Sequence, residues 1–284
     1  MTQDIRRFLG EHLRENRLPG GESFLSVGEE PLLDWARDQG MDLRRAMIQC
    51  LEQDIWPERL RPNRGAFVAA EQARLLDSAV AVIGAGGLGG MVILQLARFG
   101  VGRLAVCDGD VFDQSNLNRQ FLSRLDRLGR NKALCAQEEV AAINPAVEVV
   151  VHDYMADAGN LPRILAGARV VVDCLDTLAA RYTLEAVCQE LKLPYVHGSV
   201  AGLEGLVMTV MPGDPGLRGL YGPRPAAKED SAEVLMGVPT MTPALVAGLQ
   251  VNEVAKLLLD RRPLQRRMLH LDLESPSLEC LDLA

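Results

Sequence analysis

From about residue 66 onward, short unbroken apolar runs alternate with longer stretches of helical period. "AVAVIG" (79–84), "RLAVCD" (103–108), "AVEVVVHD", "ARVVVDCLD" and "PYVHGSV" read as strands. "GGLGGMVILQLARFG", "NKALCAQEEVAAIN" and "TLAARYTLEAVCQELK" read as the helices between them. Continuous apolar strands alternating with helices predict an α/β fold, a doubly wound and mostly parallel sheet with helices on both faces. "LEGLVMTVMPG" follows directly on a strand, which predicts an antiparallel hairpin there. "TPALVAGLQVNEVAKLLLD" reads as a long helix, and "RRMLHLDLES" and "SLECLDL" as closing strands. Between the hairpin and that helix, 212–237 is rich in Pro and Gly without a period, a long loop of the kind that carries function or moves.

Residues 1–60 have a different texture. They read as an N-terminal helical extension, short helices broken by "LPGGES" and "DQG", with a short strand near "SFLSV". Leu43, Met47, Leu51 and Ile55 recur every four residues as one helical stripe. Asp42 is placed to cap that helix, and Trp56-Pro57 to end it. A helix-turn-helix reading competes, but the segment is not basic, so a packing or docking extension is preferred. Two units follow, 1–60 and 61–284.

Composition narrows the function classes. The chain has 284 residues, 48% hydrophobic and 24% charged, which excludes a disordered chain. Its net charge of −8 argues against a general nucleic-acid binder or a basic membrane-surface protein. The first residues lack the apolar core of a signal peptide, and no apolar run of membrane-spanning length occurs. Cys50, Cys107, Cys135, Cys174, Cys188 and Cys280 form no C-x-x-C pair. They read as reduced thiols of a cytoplasmic protein.

Residues Gly84, Gly86 and Gly89 make a G-x-G-x-x-G between a strand and a helix, with Gly87 inside it. Backbone amides approach phosphate closely there, and a helix N-terminus favours the negative charge. Asp108, at the end of the second strand, is placed to accept hydrogen bonds from ribose hydroxyls. This far the pattern says only nucleotide, and NAD-dependent dehydrogenases share it. The polar block Ser115-Asn116-Leu117-Asn118-Arg119-Gln120 that follows has no evident use in hydride transfer.

With that block, the chain over roughly 60–275 resembles the family of ThiF, MoeB and HesA, which is similar to the adenylation domain of ubiquitin-activating enzymes. The resemblance implies a Rossmann-like domain in which Gly84, Gly86, Gly87 and Gly89 cradle phosphates and Asp108 holds ribose. It implies that Asn116, Arg119 and Lys132 contact the nucleotide, that Asp176 binds Mg2+, and that Arg64 reaches the nucleotide site of a neighbouring subunit in a homodimer. The implied reaction is ATP-dependent adenylation of the C-terminal glycine of a small ubiquitin-like sulfur carrier ending in Gly-Gly. The chemistry agrees with the residue types. Attack of a carboxylate on the α-phosphate builds negative charge on its oxygens and on departing pyrophosphate, which arginine, lysine and Mg2+ neutralise. Lys132 alone reads as a solvated helix-start lysine and Asp176 alone as a helix cap; their order along the chain is what raises them.

The chain also departs from the family pattern. Many relatives hold a structural zinc with two C-x-x-C pairs. Gly216 and Gly219 stand at the first pair, and only Cys280 lies near the second, so no zinc is expected. The segment 212–237 is then held by other contacts or left disordered without a partner. Cys188 sits at core spacing, and no cysteine lies between it and Cys280, so a thioester on the protein's own sulfur is not expected. His197 either touches the acyl tail or is structural, the second being preferred. Adenylation of a small molecule, a peptide or a tRNA, and a non-catalytic carrier-binding scaffold, remain as alternatives.

Overall fold

The computed structural model describes residues 4–224 and 235–283. Among these residues the larger sheet has eight strands. Five are parallel: β4 (Ala79–Ile83), β5 (Arg103–Cys107), β6 (Glu148–His152), β7 (Val170–Asp173) and β8 (Tyr195–Ala201). β9 (Glu204–Val210), β10 (Arg267–Asp272) and β11 (Ser277–Asp282) continue the sheet antiparallel, the first through the expected hairpin.

Strand residues alternate between two buried faces, which is why the strands read as continuous apolar runs. Val80, Val82, Leu104, Val106, Val170 and Val172 pack in one cluster with residues of α5 (Gly87–Phe99), α6 (Lys132–Ile143) and α10 (Met241–Leu258). Ala81, Ile83, Cys107, Val171 and Tyr195 pack in another with α7 (Leu161–Ile164) and α8 (Leu178–Glu190). The chain runs outward from β4 through β5 to β6, then returns to β7 on the other side of β4. Such a reversal opens a crevice at the carboxyl ends of β4 and β7, where ligands of this architecture bind.

The N-terminal segment contains α1 (Ile5–Leu9), α2 (Glu29–Gln39) and α3 (Leu43–Glu52). Asp42 caps α3 by accepting from the Arg45 amide at 2.7 Å. The segment is more than helical, however. β1 (Leu13–Arg17), β2 (Ser23–Val27) and β3 (Ile55–Pro57) form a three-stranded sheet in that order, with β1 antiparallel and β3 parallel to β2. Ile55, last of the helical stripe, therefore belongs to a strand; it is fully buried all the same. The core of this segment does not stop at residue 60. Ala73 and Leu76 of α4 (Ala69–Leu76) and Ala146 belong to it. Arg44 donates to the Gly102 carbonyl at 2.9 Å and Arg59 to that of Ile143 at 2.8 Å, tying the segment to the larger unit.

The Pro/Gly-rich stretch is structured at its start. α9 (Leu217–Tyr221) docks on α8: Glu185 accepts from the Leu217 amide at 2.7 Å, and the Tyr182 hydroxyl donates to the Gly222 carbonyl at 2.7 Å. Gly216 has φ +62°, and a Cβ there would overlap the Glu185 carboxylate. Glycine thus serves a turn at a position where the family pattern would put a cysteine. The expectation about residues 225–234 lies outside the described residues. Among the described residues, no helix is long and apolar enough to cross a membrane.

Candidate active site

A cleft of about 160 Å³ opens at the carboxyl ends of β4, β5 and β7. Its floor is the turn from β4 into α5. The Gly84 amide donates to the Cys107 carbonyl at 2.8 Å, and the Cys174 amide to that of Ile83 at 2.9 Å, so the turn is pinned to both neighbouring strands. The four glycines do two different jobs. Gly84 has φ +97°, and a Cβ on it would lie 2.5 Å from the Cys174 carbonyl oxygen. A Cβ on Gly89 would collide with the Gly84 carbonyl. These two make the turn and the helix–strand contact possible, and Gly89 is not a cleft-lining residue. Gly86 and Gly87 line the cleft, and there the nearest atoms to an added Cβ are at 3.6 and 3.7 Å. The protein's own packing does not demand glycine at these two, and their bare backbone at the helix N-terminus leaves room for a close approach.

Asp108, Arg119, Lys132 and Asp176 line the same cleft. Asp108 accepts from the Ala85 amide at 2.7 Å and the Asp110 amide at 2.8 Å. Burial raises its carboxyl above the usual carboxylate range, against the pull of these bonds and of Lys132. Lys132 opens α6; its side chain is nearly buried and its ammonium lies 3.2 Å from Asp110. Arg119 is half-buried, and Nη1 donates to the Ser115 carbonyl at 3.0 Å. Asp176 is exposed at the cleft's other wall. It does not cap α8: Thr177 does, accepting from the Ala180 amide at 3.4 Å. The carboxylate of Asp176 is therefore not committed to a helix end.

Two expected residues stand apart from this group. Asn116 is buried and turned back on its own loop, its Oδ1 accepting from the Asp113 amide at 3.0 Å, and it is not among the cleft-lining residues. Arg64 lies in the N-terminal region with its guanidinium 4.3 Å above the Phe24 ring, outside the cleft of its own chain. Other residues join the site unannounced. Gln120 is 6% exposed, lines the cleft, and its Oε1 has no partner. Its place directly after Arg119 in the polar block was the available signal. Cys107 and Cys174 line the cleft too, but burial pushes the first thiol up to about 12 and the second well above its usual range. Neither is a ready nucleophile.

The arrangement offers free amides at a helix N-terminus, two cations and an uncommitted carboxylate around one cleft. The profile described as the ThiF family matches residues 60–283. The chain belongs to the ThiF family. Within it, the SAMP-activating enzyme E1 of Haloferax volcanii is 41% identical over 204 residues, 71% of this chain and 75% of that protein. The adenylyltransferase and sulfurtransferase MOCS3-2 of Zea mays is 34% identical over 208 residues, which is 72% of this chain. The matched stretch is only 43% of that longer relative. ThiF-family relatives thus carry the names of activating enzymes and adenylyltransferases, and this chain is an adenylyltransferase of that family. Among solved structures, E. coli MccB with ATP superposes at a TM-score of 0.69 and 15% identity, covering 97% of this chain and 96% of that one. The likeness in fold therefore reaches into the N-terminal segment.

Proposed function

We propose that this ThiF-family chain adenylates the C-terminal glycine carboxylate of a small ubiquitin-like sulfur carrier. The carboxylate oxygen attacks the α-phosphorus of ATP, the bond to the bridging oxygen breaks, and pyrophosphate leaves with that electron pair. The observation that carries this reading is the gathering of Arg119, Lys132 and Asp176 around a glycine-lined cleft. Hydride transfer has no use for two cations and an uncommitted carboxylate at the phosphates. The Haloferax relative, named for activating SAMP, supports the class of acceptor.

In this reading the amides of Gly86 and Gly87 receive phosphate oxygens and Asp108 accepts from ribose. Arg119 and Lys132 offset the charge that grows on the phosphates. Asp176 fits a hard cation, being an exposed carboxylate at the cleft wall, and Mg2+ held there would neutralise departing pyrophosphate. The acceptor brings its own nucleophile, so positioning and charge neutralisation suffice and no general base is required. Asn116 acts by shaping the loop that carries Arg119. Arg64 belongs, in this proposal, to the cleft of a second copy in a homodimer, a reading its place outside the lining of its own cleft supports. A zinc-free crossover, held by α9 rather than by thiolates, and a cytoplasmic setting complete the reading.

The test is ATP–pyrophosphate exchange with candidate carriers from the same genome. Exchange that depends on the carrier is expected. Lys132→Ala and Asp176→Ala are each expected to lower it by about 100-fold or more. Intact exchange in either variant would overturn these roles, and exchange driven by a peptide or tRNA but no carrier would overturn the acceptor.

A further inference from the structure

Beneath the cleft wall that carries Asp176 lies a closed cluster of polar groups that the reaction does not touch. Asp173 ends β7 and is wholly buried. One of its oxygens accepts from the Leu175 amide at 2.9 Å. The other accepts from the Tyr195 hydroxyl and from Nδ1 of His197, each at 2.6 Å. Arg181, from α8, donates to the Leu175 carbonyl through Nε at 3.0 Å and Nη2 at 2.6 Å. Leu175 is thus gripped at both its amide and its carbonyl, and Asp176 is the next residue.

The cluster continues away from the cleft. Because Nδ1 of His197 faces a carboxylate it carries the proton, which leaves Nε2 to accept from the Tyr221 hydroxyl at 3.0 Å. The same hydroxyl lies 3.1 Å from Ser199 Oγ. Tyr221 is the last residue of α9, so its hydroxyl links the crossover helix, through His197, to the Asp173 carboxylate that holds the Leu175 amide.

We infer that Tyr221 is a positioning residue through which the docked helix α9 sets the loop 174–176, and with it the cation-binding carboxylate of Asp176. The inference rests on the proposed function for the role of Asp176. A buried network with every member bonded has one favoured arrangement, and removing a member frees the rest. Groups that orient a metal ligand change metal affinity although they never touch the ion.

Tyr182 supplies the control. Its hydroxyl also ties down α9, at the carbonyls of Leu217 and Gly222, and not through His197 or Asp173. The experiment is Mn2+ titration of the full chain with a non-hydrolysable ATP analogue, followed by electron paramagnetic resonance. Tyr221→Phe is expected to weaken Mn2+ binding about tenfold, while analogue binding without metal stays as in the wild type. Tyr182→Phe is expected to bind Mn2+ as the wild type does, although both variants unfold at lower temperature. Arg181→Lys keeps the charge but loses the double grip on Leu175, and should weaken Mn2+ in the same sense. Wild-type Mn2+ binding by Tyr221→Phe and Arg181→Lys, or an equal loss in Tyr182→Phe, overturns the positioning role. If Asp176→Ala still binds Mn2+, the proposed function of Asp176 fails and the inference with it. If Asp176→Ala loses Mn2+ while Tyr221→Phe does not, only the inference fails.

Discussion

Asp108 and Asp173 stand at the ends of the two strands that flank β4, and their surroundings are opposite. Asp108 has two backbone amides and a lysine nearby, and burial raises its carboxyl. For Asp173, complete burial also raises the carboxyl, but His197, Arg181 and Tyr195 together outweigh it and hold the group below its ordinary range. One carboxylate faces a cleft and, in the proposed reading, is left for ribose to complete; the other is completed by the protein. The difference teaches that charge alone does not mark a candidate ligand-binding group at a strand end. What marks it is unfilled bonding capacity facing a cleft.

The largest expected effect lies on the closed side. Asp173→Ala strands His197, Tyr195 and Arg181 around a missing carboxylate, and should lower unfolding free energy by about 3–5 kcal/mol in denaturant titration. Asp108→Ala should cost only about 1–2 kcal/mol, for two lost amide bonds, yet weaken ATP binding measured by calorimetry. Equal stability losses would break the comparison.

The glycines sharpen it next. Gly89→Ala forces a Cβ against the Gly84 carbonyl and should destabilise the fold by about 1–3 kcal/mol. Gly86→Ala has room and should leave the melting temperature close to wild type while weakening ATP binding. A Gly86→Ala protein that binds ATP normally would show that the phosphates do not rest there.

The smallest effect is on pH. Burial lowers His197 from its usual 6.5, with Asp173 pulling the other way and Arg181 adding to the lowering. Tyr195 and Tyr221 face it as neutral groups. Below about pH 6.5 the unfolded chain takes up a proton there that the folded chain refuses, so stability should fall as pH drops. Asp173, whose folded value lies below its usual 3.8, adds a loss in the same direction at more acid pH. Asp108, raised above 3.8, works oppositely, because the folded state takes its proton first. Unfolding midpoints at pH 7.5, 6.5 and 5.5 should show the decline, and His197→Gln should flatten it.

The parallel sheet was legible because both of its faces are buried, which leaves Val80 to Ile83 and Val170 to Val172 as unbroken apolar runs. The glycine turn was legible because its spacing between a strand and a helix admits few other readings. β1 was not, since "LRENR" has no apolar face to betray it. β3 is three residues long and ends in proline. Gln120 was passed over because an amide beside an arginine carries no charge signal. His197 was read as structural, and it is buried in the closed cluster. Its partner Tyr221, though, comes from a stretch without period, and nothing in sequence spacing pairs the two.

Ala73, Leu76 and Ala146 complete the hydrophobic core of the first sixty residues. The N-terminal segment is consequently not a detachable cassette. A recombinant that exchanged it for a relative's at residue 60 would join two half-cores whose shapes were selected apart. A viable chimera would have to carry α4 and the turn before β6 across with it. Diversification of this segment is thereby coupled to one flank of the adenylation domain, while the cleft at the carboxyl ends of the strands stays free to keep its chemistry.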